Sequence, residues 1–108
     1  MENNFNVDDC PAMETIALIG GRWKLRILKI ICQQPRRFGE IHVRLPSITR
    51  KVLTDQLREL ESDGLITRTV FNEVPRKVVY ALTEFGNSLN PLLDYIAAWK
   101  KDSWSAKI

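Results

Sequence analysis

Residues 47–71 read Ser47-Ile48-Thr49-Arg50-Lys51-Val52-Leu53-Thr54-Asp55-Gln56-Leu57-Arg58-Glu59-Leu60-Glu61-Ser62-Asp63-Gly64-Leu65-Ile66-Thr67-Arg68-Thr69-Val70-Phe71. The hydrophobic period changes within this stretch, and that change decides the fold. Leu53, Leu57 and Leu60 recur at spacings of four and three, which predicts a helix from about Arg50 to Ser62. Ser47 and Thr49 both qualify as its N-cap, and Gly64 supplies a left-handed C-terminal stop. Beyond Gly64, Leu65–Phe71 and Lys77–Leu82 are rich in β-branched and aromatic residues, and residues 72–76, which include Pro75, separate them. That pattern is a β-hairpin.

Working outward toward the N-terminus, Pro46 closes a short helix over Gly39–Leu45, whose Ile41 and Leu45 share a face with Phe38. Before it, Arg22–Gln33 carries Trp23, Ile27, Ile30 and Ile31 on one stripe and ends at Pro35. Met13–Ile19 reads as a first helix, with Pro11 in its opening turn and Gly20-Gly21 as its stop. On the other side, Thr83 caps a last helix carrying Phe85, Leu89, Leu92, Ile96 and Trp99. Asn90-Pro91 interrupts it, either as a kink in one helix or as the start of a fresh one. The expected class is mainly α with a β-hairpin wing: a winged helix-turn-helix in one domain over residues 1–108.

With 108 residues there is material for one core and one domain. The longest charge-free stretch, Phe85–Leu93, holds nine residues, against roughly 20 for a bilayer span. The N-terminus lacks a cationic start and apolar centre, so the expected location is the cytoplasm. Cys10, Cys32 and the single His42 form no metal-site spacing, and no metal or cofactor is expected. One histidine, no Gly-rich phosphate loop and no evident acid pair argue against an enzyme.

The net charge of +3 hides an uneven distribution. Residues 1–19 hold four acids and no Lys or Arg, whereas residues 20–58 hold ten Lys or Arg against two acids. A basic block of this kind is a footprint of nucleic-acid binding, with double-stranded DNA the partner expected of a helix-turn-helix, although solvated helix faces give the same count.

Four blocks in register carry a family resemblance. Gly20-Gly21-Arg22-Trp23-Lys24-Leu25-Arg26-Ile27-Leu28, Arg37-Phe38-Gly39-Glu40-Ile41, Leu53–Ile66 and Glu73–Thr83 resemble the HxlR-type bacterial transcription regulators, and Cys10-Pro11 resembles their N-terminal Cys-Pro pair. The resemblance implies a MarR-like winged helix-turn-helix homodimer that binds operator DNA. It also implies, for some members, a response to electrophiles or oxidants through the N-terminal cysteine, so Cys10 is the candidate redox sensor.

Ser47, Thr49, Arg50, Lys51 and Thr54 at the start of the fourth helix are the candidate groove readers, with Arg50 suited to a bidentate guanine contact. The bland alternative makes Ser47 and Thr49 caps and Arg50 and Lys51 solvated cations, yet helix starts favour acids over two cations. Arg36 and Arg37 before the third helix, and Arg76 with Lys77 at the wing, are candidates for flanking phosphates. Arg22, Lys24, Arg26 and Lys29 read as the wet face of the second helix, and His42 as a helix-surface residue. Leu89, Leu92, Leu93, Ile96, Trp99 and Trp104 form a stripe longer than one small core requires. With residues 1–19, the 84–108 segment is therefore the expected dimerisation arm. The resulting expectation is a sequence-specific regulator, acting as a repressor on a palindromic operator, with a small-molecule effector as a further possible partner. The competing reading is a winged helix used only for protein contacts.

Overall fold

The computed structural model describes residues 5–104. A single 3-10 turn at Val7–Asp9 leads into α1 (Pro11–Ile19), α2 (Lys24–Gln33), α3 (Phe38–Val43) and α4 (Arg50–Ser62). The hairpin β1 (Ile66–Phe71) and β2 (Lys77–Leu82) follows, then α5 (Glu84–Asn87), α6 (Asn90–Trp99) and a π-helical turn at Lys100–Trp104. The mainly helical winged arrangement is the one expected. The outer ends of both expected arms, residues 1–4 and 105–108, lie outside the described residues.

The element boundaries have local causes. α1 begins at Pro11 itself, in the opening turn as expected, because a proline there forfeits no helical hydrogen bond. Gly20 ends α1 with an extended backbone (φ −74°, ψ 178°), and a Cβ there would strike the Ile16 carbonyl oxygen; Gly21 then takes φ 94°. α2 starts at Lys24, two residues later than Arg22, and α3 stops at Val43 with Arg44 as its cap, so Leu45 enters the core from the turn. Of the two candidate caps for α4, Thr49 holds the role. Its Oγ1 accepts the Val52 N–H at 3.1 Å, while Ser47 sits exposed in the preceding turn. Gly64, at φ 80°, turns the chain out of α4 into the hairpin.

β1 and β2 pair antiparallel from Ile66↔Leu82 to Phe71↔Lys77. Arg36 adds one residue of pairing to this ribbon: its N–H donates to the Tyr80 carbonyl at 2.9 Å, and the Tyr80 N–H donates back at 2.8 Å. The α2–α3 link is thus stitched to the wing. Ile27 and Ile31 of α2, Ile41 of α3, and Leu53, Leu57 and Leu60 of α4 close over Leu65 and Ile66, all of them buried. Residues read as one face of each helix are therefore the faces that meet.

The segment after Thr83, for which the sequence allows one kinked helix or two, forms two. Thr83 caps only α5, accepting the Gly86 N–H at 2.9 Å while donating to the Gly64 carbonyl at 2.6 Å. Gly86 packs so close to Leu65 that a Cβ would collide with its carbonyl oxygen. The fresh-helix alternative at Asn90-Pro91 is the one found, although Asn90 is the first helical residue and Leu89 stands at the cap. The Asn90 side chain instead lies between Asn87 Oδ1, at 3.3 Å, and Cys32 Sγ, at 3.5 Å.

Candidate nucleic-acid interface

The start of α4 lies behind an exposed turn, and its cations are held in specific ways. The Arg50 guanidinium lies 4.8 Å from the ring centroid of Phe38, the first residue of α3. Cation and ring face attract, so α3 supports the Arg50 side chain where the α4 dipole alone would repel it. Lys51 Nζ sits 2.9 Å from Asp55 Oδ2, one turn along, and keeps 84% of its side chain exposed. Thr54 Oγ1 donates to the Arg50 carbonyl at 2.8 Å, which turns its hydroxyl hydrogen toward the helix. Ser47, Thr49, Arg50 and Lys51 are exposed together, and Thr54 is half-buried beside them.

Two expected contacts divide. Arg37 is exposed at the N-cap of α3, and its N–H donates to Glu40 Oε1 at 2.8 Å. That backbone hydrogen bond, reinforced by the charges of Arg37, Arg36 and Arg44, holds the Glu40 carboxyl below its ordinary pKa. Arg37 and Lys77 line one hollow of about 250 Å³ with Glu40, between α3 and β2. Arg36, by contrast, does not face outward. It is 7% exposed, its Nη2 donates to Gln33 Oε1 at 3.0 Å and its Nε to the Ile30 carbonyl at 3.4 Å. Pairing with Tyr80 turns that side chain toward α2, so Arg36 braces the α2–α3 link and leaves the phosphate-facing set. At the wing, Arg76 is exposed, and Lys77 lays its ammonium 5.4 Å from the Phe71 ring centroid.

Two residues read as surface groups are structural. Lys24 is 9% exposed and its Nζ lies 2.8 Å from Glu59 Oε1, tying the start of α2 to the back of α4. His42 is half-buried, with Nε2 3.0 Å from the Ile48 carbonyl oxygen across the helix-turn-helix turn. Phe38 was legible only as an apolar face residue. Its role under Arg50 joins two helices, and no local pattern announces it.

The arms form a second surface. The radius of gyration is 17.0 Å, with extents of 64 × 36 × 26 Å, against about 13 Å for a compact chain of this length. On α6 and the turn after it, Leu92, Tyr95, Ile96, Trp99 and Trp104 are exposed, as are Met13 and Ile16 on α1. Leu93 is half-buried, and Leu89 departs from the expected stripe: at 8% exposed it belongs to the core, because it sits in the α5–α6 elbow beneath the arm. Cys10 caps α1 without a side-chain hydrogen bond and lines a hollow with Phe5, Asn6, Asp9 and Pro11. Among the described residues no cluster of His, Cys, Asp and Glu could hold a metal, and no helix is long and apolar enough to cross a membrane.

The HxlR-like helix-turn-helix family profile matches residues 18–107. The uncharacterized HTH-type transcriptional regulator YtcD of Bacillus subtilis is 49% identical over 85 residues, covering 79% of this chain and 68% of the relative. The redox regulator HypR in its reduced form superposes with a TM-score of 0.81 at 40% identity, covering 90% of this chain and 99% of that one. A structure described as a MarR-family transcriptional regulator of Enterococcus faecalis V583 superposes with a TM-score of 0.87 at 34% identity, covering 99% and 97% of the two chains.

Proposed function

Because the chain belongs to the HxlR-like helix-turn-helix family, whose relatives are transcriptional regulators and not enzymes, we propose that it binds operator DNA as a homodimer and represses transcription. The observation that carries this reading is the exposed Arg50 and Lys51 pair at the capped start of α4. Two cations at the positive end of a helix are unfavourable in isolation and become favourable against an anionic duplex. In this reading Arg50 reads a base edge from its perch on Phe38, Ser47 and Thr54 add short polar contacts, and Thr49 contributes chiefly as the cap. Lys51, Arg37, Arg76 and Lys77 meet phosphates, which set register and salt dependence rather than sequence choice.

A single short reading helix discriminates weakly. Two copies presented to half-sites about one helical turn apart bind jointly, and a palindromic operator is the matching target. The exposed Leu92, Ile96, Trp99 and Trp104, with Leu93 and the α1 face, supply the apolar area that a second copy would cover. Cys10, at the N-cap of α1 within the N-terminal arm, would report thiol modification to that interface. HypR, a redox regulator solved in reduced and oxidised forms, supports that assignment by likeness. The regulator acts in the cytoplasm, where the thiol is kept reduced until an electrophile or oxidant arrives.

Fluorescence anisotropy with a random-sequence duplex at low salt tests the reading, because a basic groove reader binds any duplex weakly. Binding should be salt-sensitive, and Arg50→Ala and Lys51→Ala should each weaken it. Absence of binding in the wild-type protein would favour a module that works through α6 alone. For Cys10, operator release by diamide should disappear in Cys10→Ser; release that persists would overturn the sensor role.

A further inference from the structure

A cleft of about 370 Å³ separates the second half of α4 from the wing, lined by Thr54, Leu57, Arg58, Glu61, Arg68 and Tyr80. Thr54, Arg58 and Glu61 recur at spacings of four and three, so they share one helical face. Arg68 stands opposite Tyr80 across the hairpin and two residues after buried Ile66, which places it on the side of the ribbon that meets α4. Leu57 and Tyr80 are buried and floor the cleft, while Arg58 and Arg68 are exposed at its edges. Neither guanidinium has a hydrogen bond or ion pair among the described residues, although Glu61 lies in the same cleft. Two unpaired guanidiniums from separate elements therefore converge on one polar hollow.

We propose that this cleft seats a single backbone phosphate of the bound duplex, held between Arg58 of α4 and Arg68 of β1. The proposal rests on the DNA-binding reading above and extends it to residues outside the reading turn. Geometry favours a duplex phosphate. Arg58 lies eight residues beyond Arg50, about 12 Å along the helix axis, and in a major groove about 12 Å wide and 8.5 Å deep the phosphate wall stands roughly 10 Å from base edges at the middle of the floor. An α4 that places Arg50 at base edges therefore carries Arg58 to the sugar-phosphate wall. Charge agrees: two guanidiniums and the Glu61 carboxylate leave one net positive charge, matching a singly charged phosphodiester. A small effector, by contrast, is ordinarily engulfed in an apolar pocket, and this cleft is polar and open-edged.

Salt titration on random-sequence duplex tests the proposal without knowledge of an operator. For the wild-type protein, log Kobs falls linearly with log[KCl]; Arg58→Gln or Arg68→Gln should flatten the slope by up to about 0.9 per protomer. The double variant should flatten it by about 0.9 per protomer as well, since one phosphate is shared. Glu61→Gln should tighten binding, a gain that misfolding cannot mimic, and thermal melts should show all variants folded. Unchanged slopes in folded variants, with wild-type binding intact, would overturn the phosphate seat and leave the DNA reading standing. A double-variant loss near 1.8 per protomer, the value for about two phosphates, would overturn the shared seat. Arginine-dependent binding of millimolar inorganic phosphate to the free protein, with unchanged DNA slopes, would make the cleft a small-anion site instead. No salt-sensitive duplex binding by the wild type would remove the underlying reading itself.

Discussion

The Lys24–Glu59 pair makes an asymmetric prediction. Lys24 is the first residue of α2, where the helix dipole repels a cation, and its side chain is 11% exposed against 55% for Glu59. Glu59→Ala strips the counter-charge from a nearly buried ammonium. Breaking a fully buried pair costs about 3–5 kcal/mol, but water already reaches Glu59, so about 1–2 kcal/mol is the reasonable figure here. For a domain of this size that lowers Tm by roughly 5–15 °C. Lys24→Met removes the charge together with its desolvation penalty and leaves an exposed carboxylate that water satisfies, so its cost should stay within about 1 kcal/mol. Urea denaturation of both variants and of the double variant, with m compared to confirm two-state behaviour, measures the difference. The double variant should resemble Lys24→Met. A Lys24→Met variant as unstable as Glu59→Ala would refute the reasoning, because it would mean that the pair itself, rather than an orphaned charge, sets the energy.

Other perturbations give separate readouts. Thr49→Ala removes the α4 cap and should destabilise the fold by about 0.5–2 kcal/mol in chemical denaturation, while loosening the turn that carries Arg50. Phe38→Leu keeps apolar bulk beneath Arg50 but removes the ring face; discrimination between operator and random duplex should fall by about 2- to 5-fold with the salt slope unchanged. The lowered pKa of Glu40 contributes stability that is complete above its ordinary value and is lost as pH falls through the depressed one. Wild-type Tm should therefore decline below about pH 4, and Glu40→Gln should flatten that part of the profile. Gly86→Ala should sharply reduce Tm, since Leu65 backbone occupies the space a methyl group needs.

How legible each element was follows from the range of the interactions that define it. α4 runs Arg50–Ser62 as read, because its leucine period, its threonine cap and Gly64 all lie within the helix or beside it. The hairpin was equally local. Arg36 was misplaced because its partner, Tyr80, is 44 residues away, and a bridge at that separation leaves no mark in a local pattern. Lys24 and His42 looked like surface groups for the same reason: the Glu59 carboxylate and the Ile48 carbonyl that engage them arrive through tertiary packing and the turn. Leu89 shares the apolar spacing of the arm, and only the elbow between α5 and α6 separates it from Leu92 and Ile96. The basic block is legible in the sequence, but the support of Arg50 by Phe38 depends on how α3 docks on α4.

In the proposed function, α4 reads duplex DNA in two copies. Selection of genomic fragments on the wild-type protein, followed by footprinting of the bound duplex, tests it most directly. The expected result is a protected pseudo-palindrome whose half-site centres lie about 10 base pairs apart, or a multiple of that, with protection lost in Arg50→Ala. Protection of no fragment, or protection unchanged in Arg50→Ala and Lys51→Ala, would contradict it.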